Sequence, residues 1–531
     1  MTKNKFVIAL FSGLNIISVT LLALIALGAG LAPAIHKFGL FQPVLILFFS
    51  SVVLTIVTIA LGASEKPPVR LKKMYIPLVV VLFIVIAAIQ VVYAWGLLSD
   101  GYTWDTKYVF EAAVQIVTNG SLDATNGNYL TEASNNLGIT YLLAGLFTTM
   151  KFFGFTNYLW GATLFNVTVL LVVQILIFLS AHRMYGRRIA LLSLPFSFVL
   201  VGLTMHVQTP YTDTIAILFP ILIFYLVTVF VTLKSIWTRS LLAGFIGLVA
   251  GTGYLIKPTV IIALIAVLFV GLLVWLFQGK KIVTFKKLRD LFLPVITGGL
   301  TIAAVYFGFG AYVNHSQLLP VTYQQALDKA LPLQHFINIG SKTGTDGPTT
   351  NYGGYNQQTV DIVSALPTRE AKVDYSIESY GDQLREYGLI GYISFLIHKA
   401  SWITSDATFY AYGEGDLNSV SFKNNDNVSV AVRNAGYVYN PGYYILGNVM
   451  QVFWLAILLM IALQFIITVA SKKFRINPFV TIIHLMLIGI IAFLLIFEGR
   501  SRYLFLYVPM FILAGLYTVY WIQNKTQISN E

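Results

Sequence analysis

The sequence predicts an all-α polytopic membrane protein of about 12–14 transmembrane helices, and three observations carry that prediction. Of 531 residues, 57% are hydrophobic and only 11% are charged, where an ordinary soluble domain carries roughly a quarter charged residues. Apolar runs of about 20 residues recur along the chain, the length at which a helix satisfies its own backbone across a bilayer. Finally, the basic residues gather in short hydrophilic connections instead of scattering over a surface.

Twelve runs qualify as spans: 6–29, 41–61, 75–98, 158–180, 189–206, 213–233, 240–256, 258–278, 290–313, 443–470, 478–496 and 503–522. The first is too long, and lacks the small-residue cleavage site, for a removable signal peptide, so it is expected to stay as a span. The clusters Lys3/Lys5, KPPVRLKK (66–73), RMYGRR (183–188), KSIWTR (234–239), KKIVTFKKLR (280–289), KKFR (472–475) and Lys525 hold 20 of the 34 basic residues. Of the 22 acids, only Glu65, Asp290 and Glu531 accompany them. The positive-inside rule makes these segments cytoplasmic. That distribution accounts for the net charge of +12 without any nucleic-acid partner.

Span 75–98 then delivers SDGYTWD (99–105) to the outer face. For RMYGRR to lie inside, one crossing must separate it from Asp105. Span 158–180 supplies that crossing, and the further apolar stretch 137–153 is expected to dip in or lie flat; the alternative is an external RMYGRR. Two outer regions interrupt the lipid pattern, 99–136 and 314–442. Within the second, 338–359 and 410–429 read as loops, and 368–388 and 389–403 as surface-lying helices. A connection of that length is usually functional. There is no internal repeat, no large soluble domain at either terminus is expected, and the absence of cysteine says little beyond excluding disulfides.

Polar groups land on the predicted outer face at several places. A helix from about Thr103 would set Thr106, Val109, Phe110, Ala113 and Ile116 along one side, as in a helix resting on a membrane surface. Asp105 falls in its first turn, where a merely favourable N-terminal acid is worth a few tenths of a kcal/mol to ~1 kcal/mol. Asp100 reads equally as a turn residue. HVQTPYTDT brings His206, Tyr211 and Asp213; TEASNNLG brings Asn135 and Asn136; GYLIKPT brings Lys257; EGRSRY brings Glu498, Arg500 and Arg502. Ionisable groups at span ends are functional candidates by default. Headgroup snorkelling is the plain alternative for the arginines, although anchoring cations favour the cytoplasmic side. A carboxylate here can take a proton from an attacking hydroxyl, and cations can hold a departing phosphate.

At these residues the chain resembles the polytopic GT-C class of glycosyltransferases, especially integral membrane members from Gram-positive bacteria related to polyprenyl-phosphate-sugar-dependent mannosyl and arabinosyl transferases. The resembling pieces are WDTKYVFEAA, SNNLGITYLLAGLF (134–147), QTPYTDTIAILFP (208–220), YLIKPTVIIALIA (254–266), HFINIG…GGY (335–355), LREYGLIGYISFLIHKASWITSDATF (384–409) and EGRSRYLFLYVPMFIL (498–513). Two departures stand out: Ala133-Ser134 precede the paired asparagines where the class usually has a proline, and Asp406-Ala407-Thr408-Phe409 replaces Asp-Gly-Thr-Phe.

The resemblance implies an N-terminal transmembrane module, 1–290, with a catalytic first external loop (99–136), followed by a variable C-terminal module, 291–531. It makes Asp105, with Asp100 as the fallback, the general base or acceptor-orienting group. Lys257, Arg502 and Arg500 would hold the carrier phosphate, and Asn135, Asn136, Asp213, His206 and Tyr211 would shape the pocket. The donor would be a polyprenyl-phosphate sugar. The acceptor would be a cell-surface glycan, lipid or protein, reached from the outer face of the plasma membrane of a Gram-positive bacterium.

His315 and His335 read as ordinary hydrogen-bonding residues and Asp346 as a turn former. NYGGYNQQ would either cover a sugar or be a plain flexible loop. No metal or nucleotide motif is present, so no cofactor is expected. The rival readings are a secondary transporter or flippase of lipid-linked sugars, which would place polar groups near the midplane on two related halves, a membrane polysaccharide polymerase or ligase, and a noncatalytic scaffold.

Overall fold

A computed structural model describes residues 5–31, 44–63, 69–277, 285–346, 349–410, 421–438, 440–470 and 477–528. The basic runs around 66, 280 and 472, the extreme termini and half of the 410–429 loop lie wholly or partly outside these residues.

Three long apolar helices come first: α1 (Lys5–Leu31), α2 (Val44–Ala63) and α3 (Val69–Gly96). The chain then forms α4 (Trp104–Asn119) and α5 (Ala124–Glu132), a 3₁₀ turn at Ser134–Asn136, and α6 (Leu137–Phe152). Next come α7 (Tyr158–Tyr185) and α8 (Arg187–Ser197), with a π-helical continuation at Phe198–Gly202 and a 3₁₀ turn at Met205–Gln208. The short α9 (Thr212–Ala216) leads into α10 (Leu218–Phe230), α11 (Ile236–Ile256), α12 (Ile261–Phe277) and α13 (Phe285–Ser316).

The long polar region 314–442 carries α14 (Tyr323–Lys329), α15 (Leu333–Gly340), a hairpin of β1 (Thr343–Asp346) and β2 (Thr349–Tyr352), α16 (Gln357–Ser364), α17 (Arg369–Thr404) and α18 (Asn427–Gly436). The chain closes with α19 (Pro441–Ala470), α20 (Pro478–Ile496), the single-turn α21 (Ser501–Phe505) and α22 (Val508–Ile528). The hairpin is antiparallel, pairing Thr343 with Tyr352 through to Asp346 with Thr349. Helix α17 holds both segments expected at 368–388 and 389–403, with Gly388 at φ +58 between them, a left-handed geometry open to glycine without a steric penalty.

Among the described residues, ten helices are long and apolar enough to cross a membrane. The expected spans 189–206 and 503–522 fall on α8 with its π-helical continuation and on α21–α22. The most enclosed packing lies among α7, α10, α19, α20 and α22, where Trp454, Phe224, Phe511 and Tyr507 are fully buried. Helix α13 approaches α11 closely because Gly247 faces the Gly298 carbonyl with no room for a Cβ, the small-residue contact typical of membrane helices.

The segment from Trp104 to Phe152 folds as the apolar spacing requires. In α4, Thr106, Val109, Ala112 and Ala113 are buried on one side, and Gly120 (φ +67) ends the helix. Helix α5 is capped by Asp123, whose carboxylate accepts from the Asn126 N–H at 2.8 Å. Helix α6 runs beside α4. Its start joins the hydrogen-bond cluster around Asp105, and near its end Lys151 Nζ donates to the Val117 carbonyl at 2.7 Å. At 1.5 Å per residue α6 is about 24 Å long, short of the ~30 Å hydrocarbon core. Its last turn is tied to α4 by that Lys151 contact. Helix α7 begins nearby, with the Tyr102 and Thr163 hydroxyls 3.3 Å apart. Its last turn carries Arg183, which donates to the Thr228 carbonyl at 2.9 Å. By length and composition α7 can cross a membrane once between the 99–136 segment and RMYGRR.

Candidate active site

Trp104 enters α4 at φ +49, a left-handed conformation that strains a bulky residue by about 1–3 kcal/mol. The next residue, Asp105, is half-buried. Its Oδ1 accepts from the Tyr129 hydroxyl at 2.8 Å and its Oδ2 from the Tyr211 hydroxyl at 3.2 Å. Asn136, 2% exposed, braces both phenols: its Nδ2 donates to the Tyr129 oxygen at 2.7 Å, and its Oδ1 lies 3.2 Å from the Tyr211 hydroxyl. A carboxylate offers about four lone-pair sites. Two tyrosines occupy two of them, leaving acceptor capacity for an incoming hydroxyl. Asn135 is exposed and, among the described residues, its side chain reaches Asn136 alone, at 3.4 Å.

Tyr211 also sits at the N-terminus of α9, and two residues later its first turn presents Asp213. Asp213 is 2% exposed and pairs with two cations, Lys257 through Oδ1 and Arg502 through Oδ2, the latter at 3.7 Å. Lys257 occupies the extended link between α11 and Pro258. Gly138 sets its position, because α6 abuts the Leu255 carbonyl where a side chain would collide. That contact brings the Asn136 end of α6 to the Lys257 end of α11. The Lys257 ammonium lies 4.4 Å from the Tyr503 ring centre and the Arg502 guanidinium 5.0 Å. The Tyr503 hydroxyl donates to Glu498 at 2.9 Å.

Arg500 is different. It is 9% exposed, its guanidinium lies 4.8 Å from the Tyr410 ring and 5.9 Å from the Tyr355 ring, and its Nε has no hydrogen-bond partner among the described residues. No carboxylate lies within ion-pair distance of it among those residues, whereas Lys257 and Arg502 share Asp213. Buried cations are normally compensated; among the described residues the faces of Tyr410 and Tyr355 are what Arg500 has near its charge. Tyr355 arrives on the loop after β2. Burial, together with the negative charges of Asp105, Glu498 and Asp361, raises its phenol above the ordinary value, against Arg500. The tyrosine loop thus lies within electrostatic range of both the carboxylate and the cations.

His206 and Asp406 hold this wall in place. His206 Nε2 meets the Phe409 carbonyl at 3.1 Å, and its ring stacks on Phe505 at 4.4 Å. Asp406, 4% exposed, accepts from the Thr408 hydroxyl (2.6 Å), the Tyr410 N–H (2.9 Å) and the Ser501 hydroxyl (2.8 Å). It ties the Tyr410 turn to the start of α21.

The structure therefore gathers Asp105, Asn136, Tyr211, Asp213, Lys257, Arg500 and Arg502 into one region, with His206 behind them. Asp100 lies apart. It is half exposed, accepts from the Ser421 hydroxyl and stands 3.8 Å from Lys423, in a bridge where Ser99 pairs with Phe422. Tyr355 belongs to the NYGGYNQQ stretch read as a sugar cover or a plain loop, whereas Tyr129, Tyr410 and Tyr503 were not singled out from the sequence. A tyrosine among 30 carries no local signal of a catalytic neighbour.

A family model described as conserved hypothetical integral membrane protein matches residues 3–521. The chain belongs to that family. No curated protein matches it. Among solved structures, the chain is similar to ArnT from Cupriavidus metallidurans, crystallised bound to undecaprenyl phosphate, at 12% identity and a TM-score of 0.33 over 83% of this chain and 77% of that one.

Proposed function

We propose that the protein is a GT-C type glycosyltransferase that moves a sugar from a polyprenyl-phosphate donor to an acceptor hydroxyl on the extracytoplasmic face. The observation that carries this reading is one of arrangement. A carboxylate braced by two phenols and an amide shares a region with three cations, of which one, Arg500, is buried without a carboxylate partner among the described residues. The sequence resemblance to GT-C enzymes points the same way.

In this mechanism Asp105 takes the proton from the acceptor hydroxyl as its oxygen attacks the anomeric carbon. The bond from that carbon to the phosphate oxygen breaks, and its electron pair leaves with the carrier phosphate. The phosphate goes from one negative charge to two. Arg500, Arg502 and Lys257 meet that developing charge, with Asp213 holding the latter two in place. A positioned base contributes typically about 10²–10⁴-fold, and stabilisation of a developing anion by a preorganised donor contributes about 10²–10³-fold. The acceptor classes are a cell-envelope glycan, a glycolipid or a surface protein.

The test is the purified protein in detergent with a panel of polyprenyl-phosphate sugars, following release of the free carrier phosphate and appearance of glycosylated product. Consumption of one donor, at least 10²-fold slower in Arg500→Ala, is expected. A folded protein that consumes none of them would remove the transferase reading and favour a carrier of lipid-linked sugars.

A further inference from the structure

Lys399 lies in the second half of α17 and is completely buried. Its Nζ donates to three backbone carbonyls: Gly340 at 2.6 Å, Phe497 at 2.7 Å and Leu495 at 3.1 Å. No carboxylate pairs with it among the described residues, but Gly340 is the last residue of α15, and Leu495 and Phe497 flank the last residue of α20. The C-terminal carbonyls of a helix carry roughly half a negative charge. Two such ends converge on one ammonium, whose three N–H groups match the three acceptors.

The same joint is stitched by backbone bonds. Glu498 N–H donates to the Phe336 carbonyl at 2.8 Å, Gly499 N–H to the Gly353 carbonyl at 2.8 Å, and Gly353 N–H to the Lys342 carbonyl at 2.7 Å. Its glycines leave no slack. Gly353 sits at φ +69, where a Cβ would strike both the Gly340 carbonyl and the end of the Lys399 side chain. From this joint the chain runs in two directions into the candidate site: through Gly499 to Arg500 and Arg502, and through Gly354 to Tyr355.

We propose that Lys399 is a positioning residue that locks the cation-bearing segment Glu498–Arg502 and the Tyr355 loop into one rigid unit by joining the C-termini of α15 and α20. This rests on the proposed role of Arg500 and Arg502 as carrier-phosphate ligands. Burial pushes the ammonium down to about 7 against the opposing pull of Glu498, as expected for a lysine held by dipoles instead of a salt bridge.

The experiment compares full-length wild type, Lys399→Met and Gly353→Ala in detergent, with Lys399→Gln, which keeps two N–H donors, in reserve if the methionine variant does not fold. Hydrogen exchange reads the joint without any ligand. Exchange about tenfold faster or more is expected in peptides covering 336–356 and 495–503, with 104–119 unchanged, as for a local opening. Unchanged exchange in those peptides, or an increase spread evenly over the molecule, would overturn the proposal.

Binding of a polyprenyl phosphate, followed by native mass spectrometry, is the second readout. About tenfold weaker binding is expected for Lys399→Met, with little further loss when it is added to Arg500→Ala plus Arg502→Ala, because residues that act through one another are not additive. Wild-type binding that Lys399→Met leaves intact would also overturn it. If wild type itself binds no polyprenyl phosphate, the donor reading falls, and the exchange data alone decide the joint.

Discussion

Replacing Asp213 by asparagine keeps the shape of the side chain and removes the negative charge that holds Lys257 and Arg502 together. Asp213 is 2% exposed, and its partners' side chains are 14% and 13% exposed, so solvent cannot take over the lost charge. Breaking a buried pair by removing one partner costs about 3–5 kcal/mol. With an unfolding entropy of about 2.1 cal/mol/K per residue, a chain of this size loses roughly 1 °C of melting temperature per kcal/mol. The variant should therefore melt about 3–5 °C below wild type in detergent. The two uncompensated cations should then gain more from an anion than they do in wild type. Saturating polyprenyl phosphate should raise the variant's melting temperature more than the wild type's, through the linkage of ligand binding to stability. Melting curves of both proteins, with and without the lipid phosphate, measure both effects. An unchanged melting temperature, or an equal or smaller response to the ligand, would refute the assignment of Asp213 as the counter-charge of a phosphate site.

Three other predictions follow from the same geometry. Tyr129→Phe and Tyr211→Phe each remove one hydroxyl donor from Asp105, a charge-assisted bond worth about 1.5–3 kcal/mol. Each should slow transfer about tenfold or more, and initial rates of the two variants that match wild type would contradict the bracing role. Gly138→Val would drive a side chain into the Leu255 carbonyl and should lower the yield of folded protein and displace Lys257; a melting temperature equal to wild type's would rule out the tight α6–α11 contact. His335 is enclosed, with both ring nitrogens unpartnered among the described residues, and burial, aided by the charges of Lys342 and Lys372, lowers it to about 4. Its folded value lies below the unfolded 6.5, so the unfolded chain takes up the proton first. Stability is unaffected above 6.5 and falls as pH drops towards 4, by up to about 3 kcal/mol. The melting difference between His335→Leu and wild type should grow over that window, whereas parallel curves would contradict it.

The membrane architecture was legible because lipid imposes a long, simple signal. The apolar runs became helices, and the break between the two halves of α17 fell at Gly388 as the sequence suggested. The reading of 137–153 depended on charge bookkeeping; the helix found there, α6, is tied to α5 at its start and to α4 at its end. The choice between Asp100 and Asp105 could not be made locally, since both follow the same span. It became geometric only when Tyr211, 106 residues away in sequence, was brought to Asp105 while Asp100 met Ser421 and Lys423. The adjacent asparagines illustrate the same limit: the pair is visible in the sequence, but only the fold separates buried Asn136 from exposed Asn135. Lys399 was invisible for a further reason. A lysine in a mixed-polarity helix reads as a solvated face, and it is buried here because two helix ends with unpaired carbonyls meet around it.

The central claim is that Asp105 is the base of a lipid-linked sugar transfer. It is tested most directly by initial transfer rates for Asp105→Asn beside Asp100→Asn, using whichever polyprenyl-phosphate sugar wild type consumes, with all three proteins matched for folding. The account predicts a loss of about 10²-fold or more for Asp105→Asn and near-wild-type rates for Asp100→Asn. A fully active Asp105→Asn enzyme, or one whose loss is matched by Asp100→Asn, would contradict it.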